Sequence, residues 1–511
     1  MNIYTSLFFL VEVDDVEHFI YIKTTFTSHS LLFIKMNLIN VFLSLLFLVL
    51  PTYSSIISSK SSSLSLAKQS SSNTNTTFLG AYFGNWAQYH LNGYAYTAND
   101  LQGIIGKLDE LVYSFFYFCP PPNTNPMPYW SVAPYGSCTD ATAYQLLSVD
   151  PHDDEFLQTI NGFKTSINPK LRIILSIGGW NFPSSYFSTM VASASSRATF
   201  IASIKTYLNQ YQADGVSLDW EYPCSPPRVN SVEISCTDFQ NVNDAGGKCP
   251  DDGTNFVTLL KEMRQTLGNK VIITVASQAG LVQEREMKIS SLHPYVDRLE
   301  VMTYDYTVSD IVNAGVMAPN APLYNPPSNI PNVTAMSINY TVTDYLNDGV
   351  PNYKICIGVA LYAHSWYNPT LATNNQWQNF GNPSYVQGDC CGPFMATNGG
   401  KPGQGSSLCG TMMYSEILAA APDKKYYDNI TQSNIGYFTQ IGQDGYTPPG
   451  IWITYNDPTS MEAIVDYCVE KGVAGVFAFD TSMDSRDPST GDWTYELLNT
   501  ISNRLDSYQS E

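Results

Sequence analysis

Two acids, Asp219 and Glu221, stand two residues apart in the stretch Asp214-Gly215-Val216-Ser217-Leu218-Asp219-Trp220-Glu221-Tyr222-Pro223. A strand repeats with a period of two, so Ser217, Asp219 and Glu221 point to one side and Val216, Leu218 and Trp220 to the other. A strand covered on both faces should be a nearly continuous apolar run, and acids that neither pair nor hydrogen-bond are costly to bury. Two acids alternating into such a run need an explanation. A bland one is that both lie exposed at a sheet edge. A chemical one is that carboxyls roughly 7 Å apart along a strand divide a task, one protonating a leaving group while the other organises the reacting centre. That division of labour is what glycoside hydrolysis needs.

The surrounding chain supplies elements that could position these acids. Short apolar strands alternate with helical patterns, the signature of repeated βα units and a parallel sheet. Strands are expected at Phe78 to Gly84, Leu111 to Phe118, Arg172 to Ser176, Val216 to Trp220, Val271 to Ala276, Leu299 to Tyr304, Ile355 to Leu361 and Val473 to Phe479. Eight such strands predict the α/β class and a (β/α)8 TIM barrel, longer than the typical ~250 residues because of insertions. A doubly wound open sheet is the alternative, but no Gly-x-Gly-x-x-Gly turn follows any of the strands. Barrel enzymes place chemistry at the carboxyl ends of their strands, where Glu221, Tyr304, Asp305, Tyr362 and Phe479 fall. The interval from Ser365 to about Pro449, after strand seven, is too long for a loop and predicts a small inserted unit.

The chain has 511 residues, of which 44% are hydrophobic and 14% charged, with a net charge of −20. Such acidity argues against nucleic acid or an anionic membrane as partner, because phosphate binding rests on clustered Lys and Arg. A neutral or cationic substrate is expected. Leu38 to Leu50 is an apolar run of thirteen residues, preceded by Lys35 and Met36. It is short for a membrane span and right for a signal-peptide core. Residues 1–55 are therefore read as a signal-peptide region with cleavage near Ser54 or Ser55, a start at Met36 being the hypothesis and a signal anchor the rival reading. Residues 56–77 read as a Ser/Thr-rich linker, and residues 78–505 as one catalytic domain with its insertion at about 365–449. Asn-x-Ser/Thr triplets at Asn75, Asn332, Asn339 and Asn429, with ten cysteines, fit a secreted, extracellular chain. Loop disulfides are the expected use of the cysteines, with Cys119–Cys138 the one pairing assigned. No Cys-x-x-Cys and His set supports zinc, so no metal and no cofactor is expected. The chain is read as a monomer without stable membrane insertion after signal cleavage.

The stretch around Asp219 resembles the active-site signature of glycoside hydrolase family 18, the chitinases and their relatives. That signature runs Asp-x-x-Asp-x-Asp-x-Glu, met here by Asp214, Ser217, Asp219 and Glu221, with Ser217 in place of one acid. Leu175-Ser176-Ile177-Gly178-Gly179-Trp180 is similar to the family's Ser-x-Gly-Gly segment. The segments Ala81 to Tyr89 and Val301 to Tyr306 resemble those of strands one and six. Gly358 to Trp366 resembles a pattern that usually reads Tyr-Gly-Arg, from which Ala363 and His364 depart, and Gly410 to Ile417 resembles part of an α+β insertion that walls one side of the cleft.

The resemblance implies a chitinase that cuts β-1,4-linked N-acetylglucosamine polymers internally by a retaining, substrate-assisted mechanism. Glu221 would be the proton donor, Asp219 the acceptor for the acetamido N–H and Tyr304 the group that fixes the acetamido oxygen. Asp214 and Ser217 complete the implied catalytic set. Tyr82, Trp86, Gly179, Trp180, Met302, Asp305, Tyr362 and Phe479 would bind chitin or chitooligosaccharides, Phe479 standing where the family normally has Trp. With no acid at position 217, Asp219 is expected to titrate as a single group, hydrogen-bonded by Ser217. A secreted chitin-binding lectin on the same fold, with little or no activity, is the alternative.

Overall fold

The computed structural model of the chain describes residues 3–13, 16–26, 78–90, 93–122, 138–226, 246–248, 250–279, 286–307, 316–326, 336–367, 378–379, 411–445, 447, 449–487 and 489–509. The apolar run from Leu38, the polar tract before Phe78, Asn75 and Asn332 lie outside these residues. The chain divides into two units, residues 1–74 and 75–511. In the first, strands Ile3–Val13 and Val16–Phe26 pair antiparallel.

The second unit is built on eight parallel strands: β1 (Phe78–Gly84), β2 (Glu110–Phe118), β3 (Arg172–Gly178), β4 (Gly215–Asp219), β5 (Ile272–Gln278), β6 (Arg298–Met302), β7 (Ile355–Ala360) and β8 (Gly475–Phe479). Each pairs with the next, and β8 pairs with β1, so the sheet closes into the predicted barrel. Closure leaves no strand edge among the eight, which removes the bland reading of Asp219 as an edge residue. The outer layer includes helices α1 (Asp153–Ser166), α2 (Ala194–Gln210), α3 (Asp251–Leu267), α4 (Ile338–Asn347), α5 (Pro458–Lys471) and α6 (Glu496–Gln509). Their sequences dictate the face they bury. In α3, Phe256, Leu259, Leu260 and Met263 recur at helical spacing and are all buried, and α5 opens with Asp457 accepting the Ser460 N–H and Pro458 in the first turn.

The alternation read from the sequence sorts β4 into two environments. Trp220, just past the strand, faces the helices: its ring stacks on Phe187 at 5.3 Å, meets Phe256 edge-on at 5.4 Å, and its indole N–H donates to Ser184 Oγ at 2.7 Å. Ser217 and Asp219 face the barrel interior, where they meet residues of β6. The interior carries charged side chains. At its lower end Glu110, fully buried, accepts two contacts of 2.6 and 2.5 Å from Arg298 Nη2. Burial pushes the Glu110 carboxyl up to about 7, against the pull of the Arg298 guanidinium, which acts to lower it.

Between β7 and α5 the expected insertion forms a five-stranded antiparallel sheet. Its order is Thr411–Met413, Tyr362–Tyr367, Ile451–Tyr455, Ser433–Tyr437 and Lys424–Asp428, with helix Tyr414–Ala420. The unit is wider than the expected 365–449. Tyr362–Tyr367 and Ile451–Tyr455 pair directly, His364 opposite Thr454, so the insertion begins as soon as β7 ends. Cys119 and Cys138 form the predicted disulfide. Cys224 is also disulfide-bonded, Cys356 and Cys468 are free and buried, and the remaining cysteines lie outside the described residues. Asn429 is exposed in the turn before Ser433–Tyr437, and Asn339, on α4, accepts a hydrogen bond from Tyr467. Among the described residues no helix is long and apolar enough to cross a membrane.

The Glu110–Arg298 pair predicts a pH-dependent cost. Arg298→Met leaves a buried carboxylate without its cation and should lower stability by about 3–5 kcal/mol at pH 8. The folded-state pKa of Glu110 is raised, so the penalty belongs to the ionised form, is present above that pKa, and fades as the carboxyl takes up a proton below it. Urea unfolding of both forms at pH 8 and pH 5.5 should show a gap that shrinks at the lower pH. A gap independent of pH would contradict the burial of Glu110 against Arg298.

Candidate active site

At the carboxyl end of the barrel, β4 delivers Asp219 as its last residue and Glu221 just beyond. Asp219 is only 4% exposed, whereas Glu221 is half-buried. Burial, followed by the neighbouring Glu221 and Glu300 carboxylates, raises the Asp219 carboxyl well above its ordinary range. Its Oδ1 is buried with no hydrogen-bond donor among the described residues. An orphaned carboxylate oxygen at the floor of a barrel mouth is suited to an arriving N–H or to a proton.

The backbone around these acids explains the glycines of the upstream motif. Gly179 N–H donates to the Asp219 carbonyl at 2.8 Å, which ties the end of β3 to the end of β4. Gly178 has φ +116°, and a Cβ there would lie 2.1 Å from that same carbonyl. Gly179 has φ +92°, and a Cβ there would lie 2.7 Å from the Phe115 ring. Only glycine fits either place. Gly179 thus sets the path of the chain that carries Trp180, whose ring is 46% exposed at the mouth.

Aromatic rings form the rest of the floor. Phe479, at the end of β8, lies 5.6 Å from Tyr82, 6.2 Å from Tyr304 and 6.3 Å from Trp86 between ring centroids. Trp86 stacks on Phe115 at 5.5 Å, and its turn is pinned by Asn85 Nδ2, which donates to Asp153 at 2.9 Å. Tyr304 meets Tyr362 edge-on at 6.2 Å. The Tyr304 hydroxyl is held protonated by burial and by the Asp219, Asp305, Glu221 and Glu300 carboxylates around it, so it can donate a hydrogen bond into the site. On the insertion side, Asp305 Oδ1 accepts from Tyr362 Oη at 2.6 Å and lies 2.7 Å from His364 Nε2. Asp305 has φ +57°, held by its N–H donating to Asn320 Oδ1 at 2.8 Å. His364, which departs from the expected Arg, is therefore tied to an acid of the cleft.

The predicted site residues do not all converge. Glu221, Asp219, Tyr304, Trp86, Trp180, Asp305, Tyr362 and Phe479 gather at the mouth. Asp214 does not. It precedes β4, where Lys164 Nζ donates to its carboxylate at 2.5 Å and the Ile173 N–H at 2.7 Å, about 16 Å along the strand from Asp219. It ties the base of the barrel to α1 and β3. Tyr82 is 2% exposed, and its hydroxyl donates to Glu300 at 2.8 Å, so it belongs to the barrel interior beneath the cleft and not to a sugar-facing surface. Met302 is half-buried and packs against the interior cluster of Tyr82, Val112 and Phe477.

Ser217 also departs from expectation. Its hydroxyl donates to Glu300 Oε2 at 3.3 Å and not to Asp219, and Asp219 is flanked by two carboxylates instead of titrating alone. Glu300 and Tyr222, whose phenol hydrogen-bonds Glu221, were not singled out from the sequence. The alternation Arg298, Glu300, Met302, Tyr304 carries the same signal as Ser217, Asp219, Glu221 and would have found Glu300. Among the described residues no group of three His, Cys, Asp or Glu side chains is placed to hold a metal ion.

Comparison with known proteins extends this geometry. The family model described as "Glycosyl hydrolases family 18" matches residues 79–484. The chain is 24% identical over 439 residues to an endochitinase of Manduca sexta, covering 84% of this chain and 67% of that one. Among solved structures, the Group IV chitinase of Ostrinia furnacalis in complex with allosamidin superposes with a TM-score of 0.64 at 23% identity, covering 84% of this chain and 99% of that one. Human YKL-39, described as a pseudo-chitinase with retained chitooligosaccharide binding, superposes with a TM-score of 0.62 at 22% identity, covering 84% of this chain and 100% of that one. At these identities the superpositions speak for the barrel alone, while the family match runs from the second residue of β1 to just past β8 and takes in the acids of β4. The chain belongs to glycosyl hydrolase family 18.

Proposed function

We propose that this protein is a secreted chitinase that cleaves β-1,4-linked N-acetylglucosamine chains internally, with Glu221 as the acid. The observation that carries the reading is the pairing of a half-buried Glu221 at the open end of β4 with a buried, donor-less Asp219 one strand step below it. In this reading the carbonyl oxygen of the sugar's 2-acetamido group attacks the anomeric carbon, while Glu221 gives its proton to the departing glycosidic oxygen. No enzyme nucleophile is needed, as in the substrate-assisted exceptions to the two-carboxylate scheme. Asp219 accepts the acetamido N–H and faces the positive charge that develops on the oxazolinium ring. Tyr304 donates its hydroxyl hydrogen to the acetamido oxygen. Glu221, now ionised, then takes a proton from a water that opens the ring from the face the leaving group left, so the anomeric configuration is retained.

Trp180, Trp86 and Phe479 offer ring faces to the apolar faces of successive sugars, and Asp305 with His364 supplies polar contacts on the insertion wall. Secretion is proposed from the apolar run before Pro51 and is supported by the disulfides at Cys119–Cys138 and Cys224, which form in oxidising compartments. The second reading, a chitin-binding lectin, draws on the fold shared with the pseudo-chitinase YKL-39 and on Ser217 in place of an acid. Glu221 favours the enzyme.

Glu221→Gln should lower cleavage of a soluble chitin oligomer by ~10²–10⁴-fold while binding survives, because the amide keeps its size but has no proton to give. Mass spectrometry of the products checks this, and a variant as fast as wild type would remove Glu221 from the role.

Trp180→Ala should weaken oligomer affinity about fivefold, the equivalent of ~1 kcal/mol of ring contact, and leave the melting temperature within a degree or two. A large drop in melting temperature with unchanged affinity would instead make Trp180 a packing residue.

A further inference from the structure

The acid missing at position 217 has a counterpart that the linear signature does not contain. Leu218 pairs with Val275 across β4 and β5, and Ala276 pairs with Glu300 across β5 and β6, so Asp219, Ala276 and Glu300 lie on one rung of the barrel. The middle residue is only a methyl, which leaves space between the two acids on the interior side. Glu300 is 1% exposed and Asp219 is 4% exposed. Glu300 Oε2 accepts hydrogen bonds from Tyr82 Oη at 2.8 Å and from Ser217 Oγ at 3.3 Å. The serine that stands in the place of an acid is thus engaged with this one. Each carboxylate keeps one buried oxygen without a well-aligned hydrogen bond among the described residues, Glu300 Oε1 and Asp219 Oδ1, and the Thr274 hydroxyl lies beside the Glu300 carboxylate.

We propose that Asp219 and Glu300 hold one proton between them, Glu300 acting as the positioning residue that replaces the absent acid of strand β4. The proposal rests on the reading of Asp219 as the group that meets the acetamido N–H. Two carboxylates buried on one rung of the barrel, where the Glu300 charge adds to the burial that raises Asp219, cannot both be ionised without a large cost, so the pair keeps a proton at neutral pH. The titratable and charged groups around the pair are Glu221 and Tyr222 at the end of β4, Tyr82 on β1, Glu110 on β2, Arg298 and Tyr304 on β6, and Cys356 on β7. Burial holds the phenols and the thiol neutral, and Arg298 is already bonded to Glu110. The Tyr82, Thr274 and Ser217 hydroxyls and the Arg298 charge all favour the ionised form of Glu300, so it is the ionised member at rest and Asp219 carries the proton. When the acetamido N–H and the oxazolinium charge arrive, the anion is worth more on Asp219. The O–H bond on Asp219 then breaks as one forms on Glu300 Oε1, and the pair keeps its single negative charge throughout.

The test compares wild type, Glu300→Gln and the double variant Ser217→Asp/Glu300→Gln by kcat/KM against pH on one soluble chitin oligomer. Glu300→Gln keeps size and hydrogen bonding but removes the proton acceptor, so kcat should fall up to ~10²-fold with KM little changed. The acidic limb should move to lower pH because Asp219 loses an anionic neighbour. The double variant, which restores an acid beside Asp219, should recover most of the lost kcat. An unchanged rate and limb in Glu300→Gln, or no recovery in the double variant, would overturn the proposal. A second measurement needs no turnover and no variant at position 300. The wild-type minus Asp219→Asn infrared difference spectrum at neutral pH should contain the band of one protonated carboxyl, above the bands that Glu110 and Glu416 contribute to both forms, and a difference spectrum without that band would overturn the shared proton. Because the infrared result does not depend on cleavage, a wild type that failed to cut the oligomer would count against the chitinase reading alone.

Discussion

Glu110, Glu300 and Asp219 all point into the barrel, and Arg298 is the cation placed among them. Moving a carboxylate out of water is penalised by several kcal/mol per ion, and replacing such groups with apolar side chains is often neutral or stabilising. A barrel interior can be filled with Val, Ile and Leu, so stability alone does not account for this arrangement. Arg298 is bonded to the lowest acid, Glu110. Of the two acids above, Glu300 is left with hydroxyl donors and Asp219 with none among the described residues, and burial raises the affinity of both for a proton. The excess of acids over cations inside the barrel thus puts a proton-holding pair beneath the catalytic mouth, and the reaction proposed for Glu221 depends on it.

The parts of the site visible in the sequence were those that a two-residue period exposes. Asp219 and Glu221 alternate out of an apolar strand, and the closed barrel turns that alternation into an interior face and a helix-facing face, with Trp220 packed on Phe187 and Phe256 as the complement. The eight strands were legible within two or three residues because each is a short apolar run bounded by helical patterns. Three features were not. Asp214 fits a linear spacing, but five residues of strand carry it to the other end of the barrel, where Lys164 meets it. Tyr82 could not be told from a sugar-facing ring, since an aromatic beside a cleft and one beneath it have the same sequence. Glu300 was overlooked because it lies far along the chain, although β6 alternates polar residues just as β4 does.

Ser217 shows how a place in a linear motif can be served from another strand. In sequence the substitution looks like a broken acid series. In space the Ser217 hydroxyl serves an acid that enters from β6, and Ala276 leaves the gap that lets the two reach one level of the barrel. The wall beside them is set by contacts of the same kind: His364 and Tyr362 both bind Asp305, so the inserted sheet is tied to the carboxyl end of β6 at the cleft.

The central claim is that Asp219, primed by its neighbours, holds the acetamido group so that the substrate supplies its own nucleophile. Proton NMR of the first products formed from a chitin oligomer tests this directly. The new reducing ends should appear as the β-anomer and convert to the α-anomer only later by mutarotation. Initial appearance of the α-anomer would mean direct attack by water, and the account would be wrong.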